Sequence, residues 1–174
     1  MHGIQAWVAL PDALEETDPA FAHYGAADMP TLAEARIRGR LIAGSAFGAT
    51  AGVRTHSPMF YAHWNVDAGA VTGPPADQPE RAAHVASGRV EVDGRSWRAG
   101  QMLVFAPGKT VIVKAEEPST VMVLGGEPVG PRYLWWNFVS SSQDCIEQAK
   151  ADWKAGRFAL PPHDHDEIIP LPEP

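Results

Sequence analysis

Between Ile37 and Leu124 the chain is written in short apolar runs, at residues 37–43, 59–66, 82–86, 89–92, 101–106, 110–114 and 119–124, closed by glycine, proline or polar turns. None is long enough for an ordinary helix, and several alternate in polarity with period two. Such spacing predicts an antiparallel sandwich or barrel. The clearest unit is Gly88-Arg89-Val90-Glu91-Val92-Asp93-Gly94, where Val90 and Val92 alternate with polar neighbours and Asp93-Gly94 supplies a hairpin turn. A second strand returns through Trp97 to the run Gln101–Ala106, which Ala99-Gly100 and Pro107-Gly108 bracket; Val111 with Val113, and Val121 with Val123, give two more candidate strands. Sixteen glycines and sixteen prolines among 174 residues agree, being too many breakers for long helices.

The flanks differ. Ile4–Leu10 has a short β-like pattern stopped by Pro11, and the residues after it, rich in Ala, Asp, Glu and Pro, suit an extended arm. Near the C-terminus Ser141 is placed to cap a helix with Asp144 at its third position; Ile146, Ala149 and Trp153 share a face expected to pack on the barrel, and Gly156 supplies the stop. From Leu160 the proline-rich acidic tail predicts extended chain. The expected organisation is an N-terminal strand and arm (1–36), a barrel (37–139), and a helix with its tail (140–174).

Charge removes several function classes. Fourteen Lys+Arg against 21 Asp+Glu give a formal charge of −7, the wrong sign for holding a phosphate backbone, so nucleic acid is not an expected partner. No stretch approaches the roughly 20 apolar residues of a membrane span, and the first residues lack the pattern of a secretory signal. A single cysteine, Cys145, excludes an intrachain disulfide. The expectation is a cytoplasmic protein.

The strand text, with its "VDG", "AGQ" and "APG" turns, resembles a cupin, the double-stranded β-helix or jelly-roll barrel. More specifically, the chain resembles the C-terminal half of the pirin family. The resemblance rests on Gly3–Pro11, on Ser57-Pro58-Met59-Phe60-Tyr61, on Leu124-Gly125-Gly126-Glu127-Pro128, on Trp135-Trp136-Asn137-Phe138-Val139-Ser140 and on Gln148–Phe158. It implies an all-β cupin with one C-terminal helix and an extended N-terminal arm. It also implies a family of bicupins whose metal, normally iron, sits in the N-terminal barrel. Quercetin-degrading dioxygenase activity in some members, and transcription co-regulation in others, would belong to that half or to the pair.

A cupin metal site draws two histidines and a carboxylate from one strand pair and a third histidine from a later strand. Aligned on Gly88 and Gly100, the two histidines would fall near Pro75 and Asp77, and the glutamate near Arg81, which follows Glu80. The late histidine would fall among Lys109, Thr110 and Val111. No metal is therefore expected at the family positions. The alternative is iron or another divalent metal on His56, His63 and His84, which lie on or beside strands; in the cupin register that the resemblance implies, inward side chains share parity with residue 81, which turns Ala83 and Val85 inward and His84 outward. On 59–66, Phe60, Ala62, Trp64 and Val66 form the apolar face and leave Tyr61, His63 and Asn65 on the other. His163-Asp164-His165 in the tail suits at most loose ion binding, without groups to orient the imidazoles.

Other chemistries lack their motifs. Gly44-Ser45-Ala46-Phe47-Gly48 lacks the glycine spacing of a nucleophile elbow, and no Lys-Ser/Thr pair follows Gly125-Gly126. Ser140–Ser142 reads as a helix start, and Cys145 as a packing residue.

The leading expectation is a small-molecule-binding, scaffolding or regulatory cupin. Its lumen is expected to be lined by Ala83, Val85, Val111 or Thr110, and Val113, together with Met102 or Leu103 and Val104 or Phe105, and to take a small apolar or aromatic ligand. The alternatives are a metal-dependent dioxygenase of quercetin type, or one half of a pair completed by a separate metal-bearing cupin chain. Trp135, Trp136 and Phe138 form an aromatic block too large to leave in water, and with the Ile4–Leu10 segment they predict a homodimer.

Overall fold

In the computed structural model, which describes residues 3–160, 163 and 167–172, the chain divides into two compact units: Asp18–Pro128, and the described residues of Met1–Thr17 with Val129–Pro174. The first unit holds eleven strands: β1 (Thr31–Glu34), β2 (Ile37–Ala46), β3 (Ala49–Thr50), β4 (Met59–Val66), β5 (Val71–Thr72), β6 (Glu80–Ser87), β7 (Arg89–Val92), β8 (Arg95–Arg98), β9 (Met102–Phe105), β10 (Val113–Ala115) and β11 (Ser119–Gly126). One sheet runs β1-β2-β4-β11-β6-β9, with β3 on β2; the other runs β5-β10-β7-β8. All pairings are antiparallel. Leu41, Phe60, Trp64, Val85, Val121 and Val123 of the larger sheet share one core with Val90, Val92, Val113 and Ala115 of the smaller. This is the jelly-roll barrel of a cupin.

The strands follow their alternation. On β4 Phe60, Ala62, Trp64 and Val66 are buried. Asp93-Gly94 makes the two-residue turn between Val92 and Arg95, both residues at positive φ. The run at 110–114 begins later than expected, with β10 at Val113, because Pro107–Ile112 is a loop.

The second unit contains β12 (Tyr133–Trp135), β13 (Phe138–Ser140) and the helix α1 (Gln143–Lys154). The N-cap is Ser142 and not Ser141, whose hydroxyl donates instead to Glu15 Oε2 at 2.8 Å. Gly156, at φ 66°, follows the helix end. Ile146 is buried, while Trp153 packs edge-on against Trp136 at a 5.1 Å centroid separation and meets Phe138 and Phe158. Cys145 is exposed and does not pack, since the buried face of α1 runs through Ile146. The segment Ile4–Leu10, expected as a strand, joins no ladder among the described residues. Its alternation is strand-like, but a strand needs a partner edge. The tail run His163–Glu167 lies largely outside the described residues, which do not include Asp164, His165 or Asp166.

Candidate functional site

Register fixes which side chains face the barrel interior. Phe60 on β4 stands opposite Gly125 on β11, Gly125 opposite Arg81 on β6, and Arg81 opposite Phe105 on β9. Directly opposed residues share a face, so one row of the larger sheet reads Phe60, Gly125, Arg81, Phe105. Gly125 is what makes the row possible. A Cβ there would lie 2.3 Å from the Glu80 carbonyl oxygen and 2.6 Å from Phe60 Cε1. The next row, Ala62, Val123, Ala83 and Leu103, is apolar and buried.

Arg81 is only 2% exposed. Its Nη2 donates to the carbonyl oxygens of Ala106 (3.1 Å) and Lys109 (2.7 Å), on the loop after β9. Nε and Nη1 are buried without an acceptor. Among the described residues no carboxylate stands within ion-pair distance of the group. A guanidinium keeps its charge at any physiological pH and has donors but no acceptor. The barrel therefore holds a buried positive charge that its own residues leave uncompensated.

Phe60 of this row touches Phe47 on the β2–β3 hairpin. β2 and β3 are joined by Phe47-Gly48, both at positive φ (55° and 73°). A phenylalanine in the left-handed region is strained by about 1–2 kcal/mol. The ring offsets this through edge-on contacts with Trp64 (5.4 Å between centroids) and Phe60 (6.1 Å). Beside the hairpin is a cleft of about 440 Å³ walled by Ser45–Thr50, Pro75, Asp77 and Gln78. Gln78 Oε1 is buried and has no donor.

Of the residues expected to line the lumen, Ala83, Val85 and Val113 lie in the buried core and Val111 packs against it, while Thr110 is exposed. Met102 and Val104 do not face inward: they are 52% and 80% exposed, and Leu103 and Phe105 take the inner positions. Pairing with β6 decides this, because Leu103 opposes Ala83 and Phe105 opposes Arg81. His63 and His84 are both opposite Met122, on the face of the sheet away from the barrel core. They are thus two strands apart, roughly 10 Å between backbones. His56 belongs to the loop before β4. Among the described residues no group of His, Cys, Asp and Glu is arranged to hold a metal ion. His63 is held below its usual pKa by burial and then by the Arg40 charge, which favours the neutral ring.

The resemblance implies an iron, and the residues at its expected position are Arg81 and Lys109–Val111. They do not fit: Arg81, the residue at the glutamate position, is a cation without a lone pair to give, and Lys109 contributes its carbonyl oxygen to that cation. Sequence reasoning treated Arg81 only as a replaced ligand and passed over Phe47. The signal for Arg81 lies in the cupin register, which puts an arginine on the inward parity it shares with Ala83 and Val85.

A second polar cluster lies in the other unit. Arg132 Nη2 donates to Asp12 Oδ1 (2.6 Å) and to the Leu10 carbonyl oxygen (2.8 Å), and its Nε sits 2.7 Å from Glu15 Oε1, a close ion pair off the hydrogen-bond direction. Glu15 also accepts from the Ser141 backbone N–H and from the hydroxyls of Ser141 and Ser140. These bonds, the Ser141 N–H first, hold its carboxyl below the usual pKa against the opposing effect of burial. Every charge there has a partner, and the cluster fastens residues 10–15 to β13.

Comparison with known proteins places the whole. The family description "Pirin C-terminal cupin domain" matches residues 61–159. A pirin-like protein of Caulobacter vibrioides is 61% identical over 174 residues, covering 99% of this chain and 60% of that protein. Pirin-1 of Arabidopsis thaliana is 27% identical, covering 88% of this chain and 56% of its own. A crystal structure of quercetin 2,3-dioxygenase from Acinetobacter baumannii superposes with a TM-score of 0.85 at 27% identity, over 96% of this chain and 57% of that one. The chain thus spans little more than half the length of these relatives. On the barrel topology and these matches together, the chain belongs to the pirin family and corresponds to its C-terminal cupin domain.

Proposed function

We propose that this cupin domain binds a small molecule inside its barrel without a metal, and contributes to its protein as a ligand-holding domain and not as the centre of oxygen chemistry. The observation that supports the reading is Arg81, a permanent cation buried where a metal cupin presents its glutamate. A divalent cation placed beside it would meet an unscreened like charge in a low-dielectric interior. Phe47, Phe60, Trp64 and Phe105 supply apolar walls for an organic ligand. Self-association belongs to the proposal as well: Trp7 remains 53% exposed and β9 ends its sheet with Met102 and Val104 outward.

Elemental analysis of protein purified without a nickel column tests the first statement. No stoichiometric iron, nickel or zinc is expected, and no oxygen uptake with quercetin beyond that of free iron. Stoichiometric metal would overturn it. Light scattering at micromolar concentration tests the second, with twice 18.7 kDa as the expected mass.

A further inference from the structure

We infer that the barrel mouth is a receptor for an organic carboxylate with an aromatic-sized apolar body, its anionic end seated on Arg81. The inference rests on the metal-free reading above and names the ligand class. The first argument is charge. A buried ion left without a counter-charge is among the most unfavourable arrangements a fold can hold, and surrounding structure normally supplies the opposite charge. Here Nη2 is saturated by two carbonyl groups, which lend only partial negative charge, while the N–H bonds of Nε and Nη1 have no acceptor. Asp77 and Glu80, the acidic residues nearest in sequence, are exposed and form no ion pair with it. The missing partner is an acceptor of negative charge.

The second argument is the surroundings of that cation. Its row neighbours are Phe105, Gly125 and, beyond the glycine, Phe60. Phe60 touches Phe47, and Phe47 walls the open cleft. An inorganic anion would leave these rings without a partner and would surrender most of its hydration to reach the guanidinium. An aryl or branched aliphatic carboxylate satisfies both parts of the site: burial of its body against the rings, and charge-assisted hydrogen bonds to Arg81. Phe47 lines the cleft and touches Phe60, which lies in the same row of the sheet as Arg81.

Calorimetric titration with sodium benzoate, set beside benzyl alcohol, chloride and inorganic phosphate, tests the proposal on the whole chain. Benzoate is expected to bind and to raise the melting temperature, and the other three to do neither. In Arg81→Met the benzoate dissociation constant should rise roughly tenfold to a hundredfold, the equivalent of one charge-assisted hydrogen bond. A parallel readout needs no variant: benzoate should move the Arg81 Nε–H signal in the proton–nitrogen correlation spectrum of the native protein, and benzyl alcohol should not. A benzoate response as large in Arg81→Met, an equal response to phosphate or benzyl alcohol, or an Nε–H signal unmoved by benzoate would each overturn the inference. The metal content of the same preparation separates the two readings. Stoichiometric metal defeats the metal-free cupin, whereas metal-free protein indifferent to benzoate defeats the carboxylate site alone.

Discussion

Arg81 and Arg132 are both nearly buried and both donate to backbone carbonyls, yet they have opposite settings. Arg132, 9% exposed in its side chain, is met by the carboxylates of Asp12 and Glu15. Arg81 meets none. The first arrangement is closed: the charge is neutralised within its own unit and nothing further is required of it. The second is open, with a cation fixed in position and donors left over. A saturated ionic cluster fastens chain segments together, whereas an unsaturated one has binding capacity in reserve. Burial alone does not distinguish the two; counting acceptors does.

The comparison breaks most directly at Arg132. Arg132→Met leaves Glu15, 13% exposed, without its cation and should destabilise its unit by about 3 kcal/mol. Trp135, Trp136 and Trp153 report that unit, and their fluorescence should change at lower urea concentration than in the native protein. Gly125→Ala should cost about 2 kcal/mol in the barrel, because the new methyl meets the Glu80 carbonyl, which cannot retreat without breaking the ladder. Chemical unfolding of the barrel, followed by amide exchange at Val121 and Val123, measures this.

Acid should act next, through Glu15 in its unit and through His63 in the barrel, whose lowered pKa also withdraws stability as pH falls through the unfolded value of about 6.5. The Glu15 carboxyl has a lowered pKa in the folded state, so its contribution is complete above its unfolded value near 4.5 and fades as pH falls through the folded value. Between pH 5 and strongly acid solution, the Glu15→Gln protein should lose about 1 kcal/mol less stability than the native one. Equal pH profiles would remove Glu15 from the explanation. The smallest effect should be that of Arg81→Met on the unliganded protein: within about 1 kcal/mol of native, in either direction, since it removes an uncompensated charge along with two hydrogen bonds to carbonyls on an exposed loop. A large loss would make Arg81 structural in the sense that Arg132 is.

What the sequence made readable followed polarity contrast. β4 and β7 alternate apolar with polar residues and their inner faces are legible residue by residue; on β6, where Ala82 adjoins Ala83 and Val85 adjoins Ala86, the inner face, Arg81 included, follows from the cupin register that the resemblance implies. On β9 Met102, Leu103, Val104 and Phe105 are all apolar, so nothing in the text indicates which pair faces the core; only the ladder with β6 settles it. The short strands β1, β3 and β5 and the hairpin β12–β13 escaped notice because two to four residues carry too little pattern. The position of Phe47 escaped for a different reason: its place is set by rings distant in sequence, and a phenylalanine in a two-residue turn defies local preference.

That last feature bears on the order of events during folding. The turns Asp93-Gly94 and Phe47-Gly48 ask for the same left-handed backbone, but aspartate and glycine accept it unaided, whereas phenylalanine does so only once Phe60 and Trp64 are assembled to receive its ring. The β7–β8 hairpin is thus able to form early from local information, and the β2–β3 tip is a latecomer. The turn that walls the cleft is the last part of the barrel to acquire its shape, and by the same reasoning the first to lose it.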